Sequence, residues 1–186
     1  MSNGQLLTKT KNNLKSIGII RGEEHFPLNP TLKFAKEQGM EIYYVSRSDY
    51  RLKHTDEFIS KLKQKFGDFY LVPEGGTNDL AIIGTQEILD KDDTHDYICC
   101  AVGTGGTIAG IINTSTDKQT VIGFPAIKGI DVLENDIKSW TNKSNYKFIN
   151  TYFGNGYAKV NEELVEFINE FNAAHDISLD VIYTGK

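Results

Sequence analysis

Short runs of β-branched and aromatic residues alternate along the chain with stretches whose apolar positions recur at helical spacing. That alternation predicts an α/β fold of mostly parallel, twisted sheets joined by crossover helices. The predicted strands are Ser16 to Ile20, Glu41 to Val45, Phe69 to Val72, Tyr97 to Val102, Thr120 to Phe124 and Lys147 to Ile149. Between the first two, Asn29 followed by Pro30 reads as a helix cap with proline at the first helical position, and Gly39 supplies a left-handed stop. Phe58, Ile59, Leu62 and Phe66 mark a helix from Thr55 to Phe66, stopped by Gly67. A later helix opens at Asn161 and is expected to bury Leu164, Ile168 and Phe171. No internal repeat or low-complexity tract interrupts the pattern.

Composition narrows the classes. The 186 residues, 39% of them hydrophobic and 24% charged, suffice for one full domain or two small ones. A net charge of −5 and a pI of 5.4 argue against a nucleic-acid partner or an anionic membrane, because no element concentrates Lys or Arg. The densest basic stretch is the short one from Lys9 to Lys15. No apolar run approaches the roughly 20 residues needed to cross a bilayer. Met1 to Lys11 lacks the apolar core of a secretory signal, so a cytoplasmic location is expected. Cys99 and Cys100 are adjacent, point to opposite faces of a strand and read as small hydrophobes. His25, His54, His95 and His175 show no metal-ligand spacing, and no metal is expected.

The chemically informative segment is the buried strand ending at Val102 that runs into Gly103, Thr104, Gly105, Gly106 and Thr107 before an apolar helix. Glycines there admit positive φ and close approach, and the helix start offers free amides with a partial positive charge. The hydroxyls of Thr104 and Thr107 add donors for an anion. A plain strand-to-helix turn would use the same glycines; the threonines favour a phosphate. Ile108 stands where a dinucleotide fingerprint wants its third glycine, and the Gly-Lys-Ser/Thr of a P-loop is missing. A second turn, Pro73 to Thr77 with Asn78, follows the predicted strand Phe69 to Val72 and leads into a helix from Ala81 to Leu89. It is either a simple capped connection or a second ligand-facing turn at a sheet's carboxyl edge.

Taken in order, six segments resemble the aminocyclopropanecarboxylate deaminase and D-cysteine desulfhydrase family of pyridoxal-phosphate enzymes. They are Ile20-Arg21-Gly22-Glu23, Leu28 to Leu32, Ser46-Arg47 with Tyr50-Arg51, Pro73 to Asn78, Val102 to Gly110, and Tyr183-Thr184-Gly185-Lys186. The resemblance implies a tryptophan synthase β-like fold of two domains with the cofactor between them, here as a partial small domain over 1–72 and a partial large domain over 73–186. It implies pyridoxal 5'-phosphate held by Gly103, Thr104, Gly105, Gly106 and Thr107, with Tyr183 and Tyr157 as catalytic candidates. The alternative for each tyrosine is a buried aromatic with a satisfied hydroxyl. Glu74, Gly75, Gly76, Thr77, Asn78 and Thr184 would face a small amino-acid substrate, D-cysteine-like or aminocyclopropanecarboxylate-like. Ring-opening deaminases carry glutamate where this chain has Thr184, which favours the desulfhydrase side. A homo-oligomer is entertained.

In the family that this chain resembles, the cofactor-anchoring lysine sits in an N-terminal Asn-Lys motif followed by basic residues and leucine, and a Ser-Asn-His segment follows it. Ser2-Asn3-Gly4 departs from the second motif at Gly4, and Lys9, Lys11 and Lys15 lack the first motif's context. The expectation is therefore a homologue clipped at both ends, without its anchoring lysine and poorly active or inactive alone. Uncovered apolar faces would make such a chain prone to aggregate. The competing expectation is a non-catalytic module that binds a phosphorylated metabolite or a complementary chain.

Overall fold

A computed structural model describes residues 14–90, 92–126, 130–152 and 159–185. The chain divides into two compact units, Met1–Tyr70 and Leu71–Lys186.

In the first unit, strands β1 (Ile17–Arg21) and β2 (Glu41–Val45) pair in parallel, with Ile17 opposite Glu41 and Arg21 opposite Val45. Parallel pairing demands a crossover, and helix α1 (Pro30–Glu37) supplies it. The Asn29 side chain caps α1 by accepting from the Leu32 amide at 2.9 Å, and Gly39 at φ 81° lets the chain turn back into β2. A short helix α2 (Arg47–Arg51), capped by Ser46, was not predicted. Helix α3 (Asp56–Phe66) starts at Thr55, whose hydroxyl oxygen accepts from the Phe58 amide, and ends at Gly67 with φ 77°. Its Phe58 and Leu62 bury against Val45, with Ile19 and Tyr43 packed alongside. Those two positions lie one turn apart on the same face, as the spacing predicts.

The second unit carries a three-stranded parallel sheet in the order β3 (Tyr97–Val102), β4 (Thr120–Pro125), β5 (Tyr146–Phe148). Before it come helix α4 (Asp79–Thr85) and a 3₁₀ turn at Gln86–Ile88. Helix α5 (Gly106–Thr114) crosses from β3 to β4, and α6 (Ile130–Trp140) from β4 to β5. Val102, Ile108, Ile111, Ile112, Val121, Leu133 and Ile137 form the core of this unit. Ile112, Ile137 and Val121 are wholly sequestered, each worth about 1.5–3 kcal/mol of transfer free energy. Helix α7 (Glu162–His175) begins at Asn161, whose side chain accepts from the Leu164 amide at 3.1 Å.

Several expectations are corrected. Phe69 to Val72 is not a strand among the described residues, and Tyr70 is 66% exposed. Aromatic and β-branched residues favour the extended backbone, but a strand needs a neighbour to take its hydrogen bonds. The predicted helix from Ala81 to Leu89 starts earlier, at Asp79, and tightens after Thr85 into the 3₁₀ turn. Leu164, Ile168 and Phe171 are half-buried rather than buried. Helix α6 was not predicted, although Leu133 and Ile137 stand at helical spacing. Cys99 is exposed and Cys100 half-buried on β3, where burial pushes the Cys100 thiol pKa up, as for a packed thiol rather than a reactive one.

Candidate functional site

The end of β3 and the start of α5 build the site. The Val102 carbonyl closes the ladder by accepting from the Ala126 amide at 3.0 Å, after which the chain must reverse into a helix. Gly105 performs the reversal at φ 89°, a left-handed conformation that a side chain disfavours, and a Cβ there would fall 2.8 Å from Leu133 Cδ1. Glycine is thus required on both counts. Gly106, Thr107 and Ile108 follow in the first turn of α5, where no earlier carbonyl of the helix can accept from their amides. These donors and the helix dipole converge on one end of a nine-residue helix.

That end opens into a cleft of about 190 Å³ whose lining includes Gly75, the turn from Gly103 to Thr107, and Tyr183. Among the described residues the lining carries no charged side chain, so the attraction they offer an anion comes from amides, hydroxyls and the dipole. Thr104 and Thr107 are exposed at its mouth.

The second glycine turn packs against the first. Glu74–Gly76 forms a single 3₁₀ turn, with Gly75 at φ 75° and Gly76 at φ 72°. Thr77 then places its hydroxyl 2.6 Å from that of Thr104. A Cβ on Gly75 would lie 2.5 Å from Thr104 Cγ2, and one on Gly106 would lie 2.7 Å from Thr77 Oγ1. The two turns are therefore in direct contact. In the Thr77–Thr104 pair one hydroxyl donates to the other, which leaves a single proton for a ligand. Asn78 caps α4 by accepting from the Ala81 amide at 2.9 Å. Thr85 fastens α4 to α5, donating to the Gly106 carbonyl at 3.1 Å. This second turn follows a segment without strand structure, not a strand as expected.

Tyr183 reaches the cleft from the far end of the sequence. A Cβ on Gly103 would come within 3.1 Å of Tyr183 Cε1, so the ring lies on bare main chain. Thr184 is engaged elsewhere: its hydroxyl donates to Asp180 Oδ2 at 3.0 Å and accepts from the Asp180 amide at 2.8 Å. Burial works to raise the Asp180 pKa, but the Tyr183, Ile182 and Thr184 amides outweigh it and hold the carboxyl below its ordinary value. Glu74 is exposed. Tyr157, Lys9 and Lys11 lie outside the described residues. Lys15 pairs with Glu41 at 2.6 Å, just ahead of β1 and at the amino end of its sheet. The structure thus brings together Gly103 to Thr107, Gly75, Thr77 and Tyr183. Sequence reasoning missed Asp180, although an aspartate two to four residues before Ile182, Tyr183 and Thr184 is an Asx-turn signal. Among the described residues, no His, Cys, Asp and Glu cluster could hold a metal, and no helix is long and apolar enough to cross a membrane.

Parallel strands with crossover helices and a glycine-rich turn at a strand's carboxyl end are compatible with the tryptophan synthase β-like class, and comparison with solved structures assigns the fold to it. Two solved structures share that fold. A hydrogen sulfide-producing enzyme from Fusobacterium nucleatum has a TM-score of 0.56 at 16% identity, over 97% of this chain and 65% of that one. An O-acetylserine dependent cystathionine beta-synthase from Helicobacter pylori has a TM-score of 0.55 at 14% identity, over 95% of this chain and 60% of that one. In sequence, the chain is 31% identical to a Thermotoga maritima protein named, provisionally, a 1-aminocyclopropane-1-carboxylate deaminase, over 93% of this chain and 62% of the relative. It is 27% identical to the mitochondrial bifunctional D-cysteine desulfhydrase/1-aminocyclopropane-1-carboxylate deaminase of Arabidopsis thaliana, over 80% of this chain and 43% of the relative. The chain is a sequence relative of the aminocyclopropanecarboxylate deaminase and D-cysteine desulfhydrase family, as the six segments indicate. It spans 62% and 61% of the length of the first two curated relatives that it matches. No model of a known protein family matches the chain.

Proposed function

We propose that the chain is a partial homologue of a pyridoxal-phosphate-dependent deaminase or desulfhydrase acting on a small amino acid in the cytoplasm, poorly active alone. The observation that carries this reading is the cleft at the start of α5, where first-turn amides, the Thr104 and Thr107 hydroxyls and glycine main chain converge. These residues fit a phosphate: the first-turn amides of α5 and two threonines belong to the Gly103 to Thr107 turn that lines the cleft. Gly103 to Thr107 would hold the phosphate, with Thr77 steering the Thr104 hydroxyl. When bound, pyridoxal phosphate withdraws electrons from an amino-acid α-carbon. Tyr183 and Tyr157 are proposed to exchange protons with substrate, and Glu74, Gly75, Gly76, Thr77, Asn78 and Thr184 are proposed to face it. Turnover would be slow because no lysine lines the cleft among the described residues, and Lys9, Lys11 and Lys15 lack the context of an N-terminal Asn-Lys followed by basic residues and leucine. Thr184 supports a D-cysteine-like over an aminocyclopropanecarboxylate-like substrate, and a homo-oligomer belongs to the same reading.

The same uncharged lining favours a second reading, a non-catalytic module for a phosphorylated metabolite or a complementary chain. Titration with pyridoxal phosphate, followed by absorbance and thermal shift, separates the two. Saturable binding with a raised melting temperature, slow release of α-keto acid from D-cysteine, and no lysine adduct after borohydride reduction and peptide mass spectrometry is the expected result. Saturable binding of a phosphorylated sugar in preference to pyridoxal phosphate would favour the second reading. A borohydride-trapped adduct at Lys9, Lys11 or Lys15 would overturn the claim that the anchor is missing.

A further inference from the structure

We propose that Asp180 is a positioning residue for the cleft: it holds the segment that lays Tyr183 on Gly103. The inference rests on the anion-binding reading above and extends it to a residue outside the cleft. Asp180 Oδ1 accepts from the amides of Ile182 at 2.8 Å and Tyr183 at 2.9 Å. Oδ2 accepts from the Thr184 amide at 3.2 Å and the Thr184 hydroxyl at 3.0 Å. The Gly185 amide donates to the Asp180 carbonyl at 2.9 Å, closing the loop on itself. One carboxylate thus gathers the donors of consecutive residues, among them the amide of Tyr183, whose ring enters the cleft.

Both sides of this turn are seated. A Cβ on Gly185 would fall 2.6 Å from Ile168 Cδ1 of α7, so the main chain rests on that helix. The Tyr183 ring rests on Gly103 and remains 37% exposed, open to a ligand from the cleft side. Asp180 does not line the cleft. Its influence on a ligand runs through the backbone of Tyr183. Because its acceptors are spent on the turn, loss of the carboxylate frees the aromatic wall that Tyr183 gives the cleft without removing any donor of the Gly103 to Thr107 turn.

A double-mutant cycle on the full chain tests this, with pyridoxal phosphate and inorganic phosphate as probes. D180A is expected to weaken pyridoxal-phosphate binding about tenfold in the parent and less than about twofold in a Y183A background, since coupled residues are non-additive. D180N keeps the Oδ1 acceptor and is expected to recover most of the affinity, which keeps the test usable if D180A fails to fold. Equal losses with D180A in both backgrounds, or no loss with D180A, overturn the proposal, as does a loss of about tenfold or more with D180N, which keeps the Oδ1 acceptor. A ligand-free measurement runs beside it: nitration of Tyr183 by tetranitromethane, mapped by peptide mass spectrometry. Faster nitration of Tyr183 in D180A, with other tyrosines unchanged, supports the assignment, and an unchanged rate overturns it. If the parent binds neither probe, the anion reading fails, while nitration still decides whether Asp180 holds Tyr183.

Discussion

Gly105 concentrates two requirements in one residue: a left-handed backbone at φ 89°, and a contact with Leu133 that leaves no room for a methyl group. G105A is expected to cost about 1–2 kcal/mol from the backbone alone, with a further loss from the Leu133 contact. Urea denaturation measures that loss, and an unchanged midpoint would mean that the turn takes another shape. The need for glycine here was legible in the sequence, because glycines and threonines gathered between a strand and an apolar helix have few other uses. The approach of Tyr183 to Gly103 was not legible. It joins residues far apart in the chain through packing on α7, and no local pattern encodes that. Thr104 lies between these cases: its hydroxyl was expected to face a ligand, and the structure adds Thr77 as its neighbour at 2.6 Å.

At the scale of elements, local chemistry predicted best. Asn29, Thr55 and Asn161 were read as helix starts, and each accepts a hydrogen bond from an amide three residues on. Such caps depend on neighbours within one turn, so the sequence contains nearly all of the information. Phe69 to Val72 failed for the opposite reason, since a strand exists only when a partner strand arrives. Helix α6 was overlooked despite its buried Leu133 and Ile137, which pack with Ile112 at the centre of the second unit. That centre sets the stability of the unit. I112A, at a side chain with 0% exposure, is expected to destabilise by about 2–5 kcal/mol. Chemical denaturation followed by the fluorescence of Trp140, which packs on this cluster, reads the change; a shift below 1 kcal/mol would mean that the centre can collapse around the cavity.

The whole molecule comprises two units, each with its own apolar cluster. The second unit also leaves apolar side chains in solvent, with Leu80 at 65% and Ile83 at 60% exposure on α4. Contiguous apolar surface of this kind promotes association. Replacing both by serine is expected to lower concentration-dependent light scattering while changing stability by only about 0.5 kcal/mol per site, because neither is part of the core. Unaltered scattering would place the source of any association elsewhere. The cleft at the start of α5 has a different consequence for how this lineage can change. Its donors are chiefly peptide groups, which a codon change leaves in place so long as the glycines keep the backbone's path. A descendant could lose a reactive side chain, or swap one threonine for another small residue, and still keep the same array of amide donors, so in this architecture the cradle can outlast any reaction that depends on a side chain.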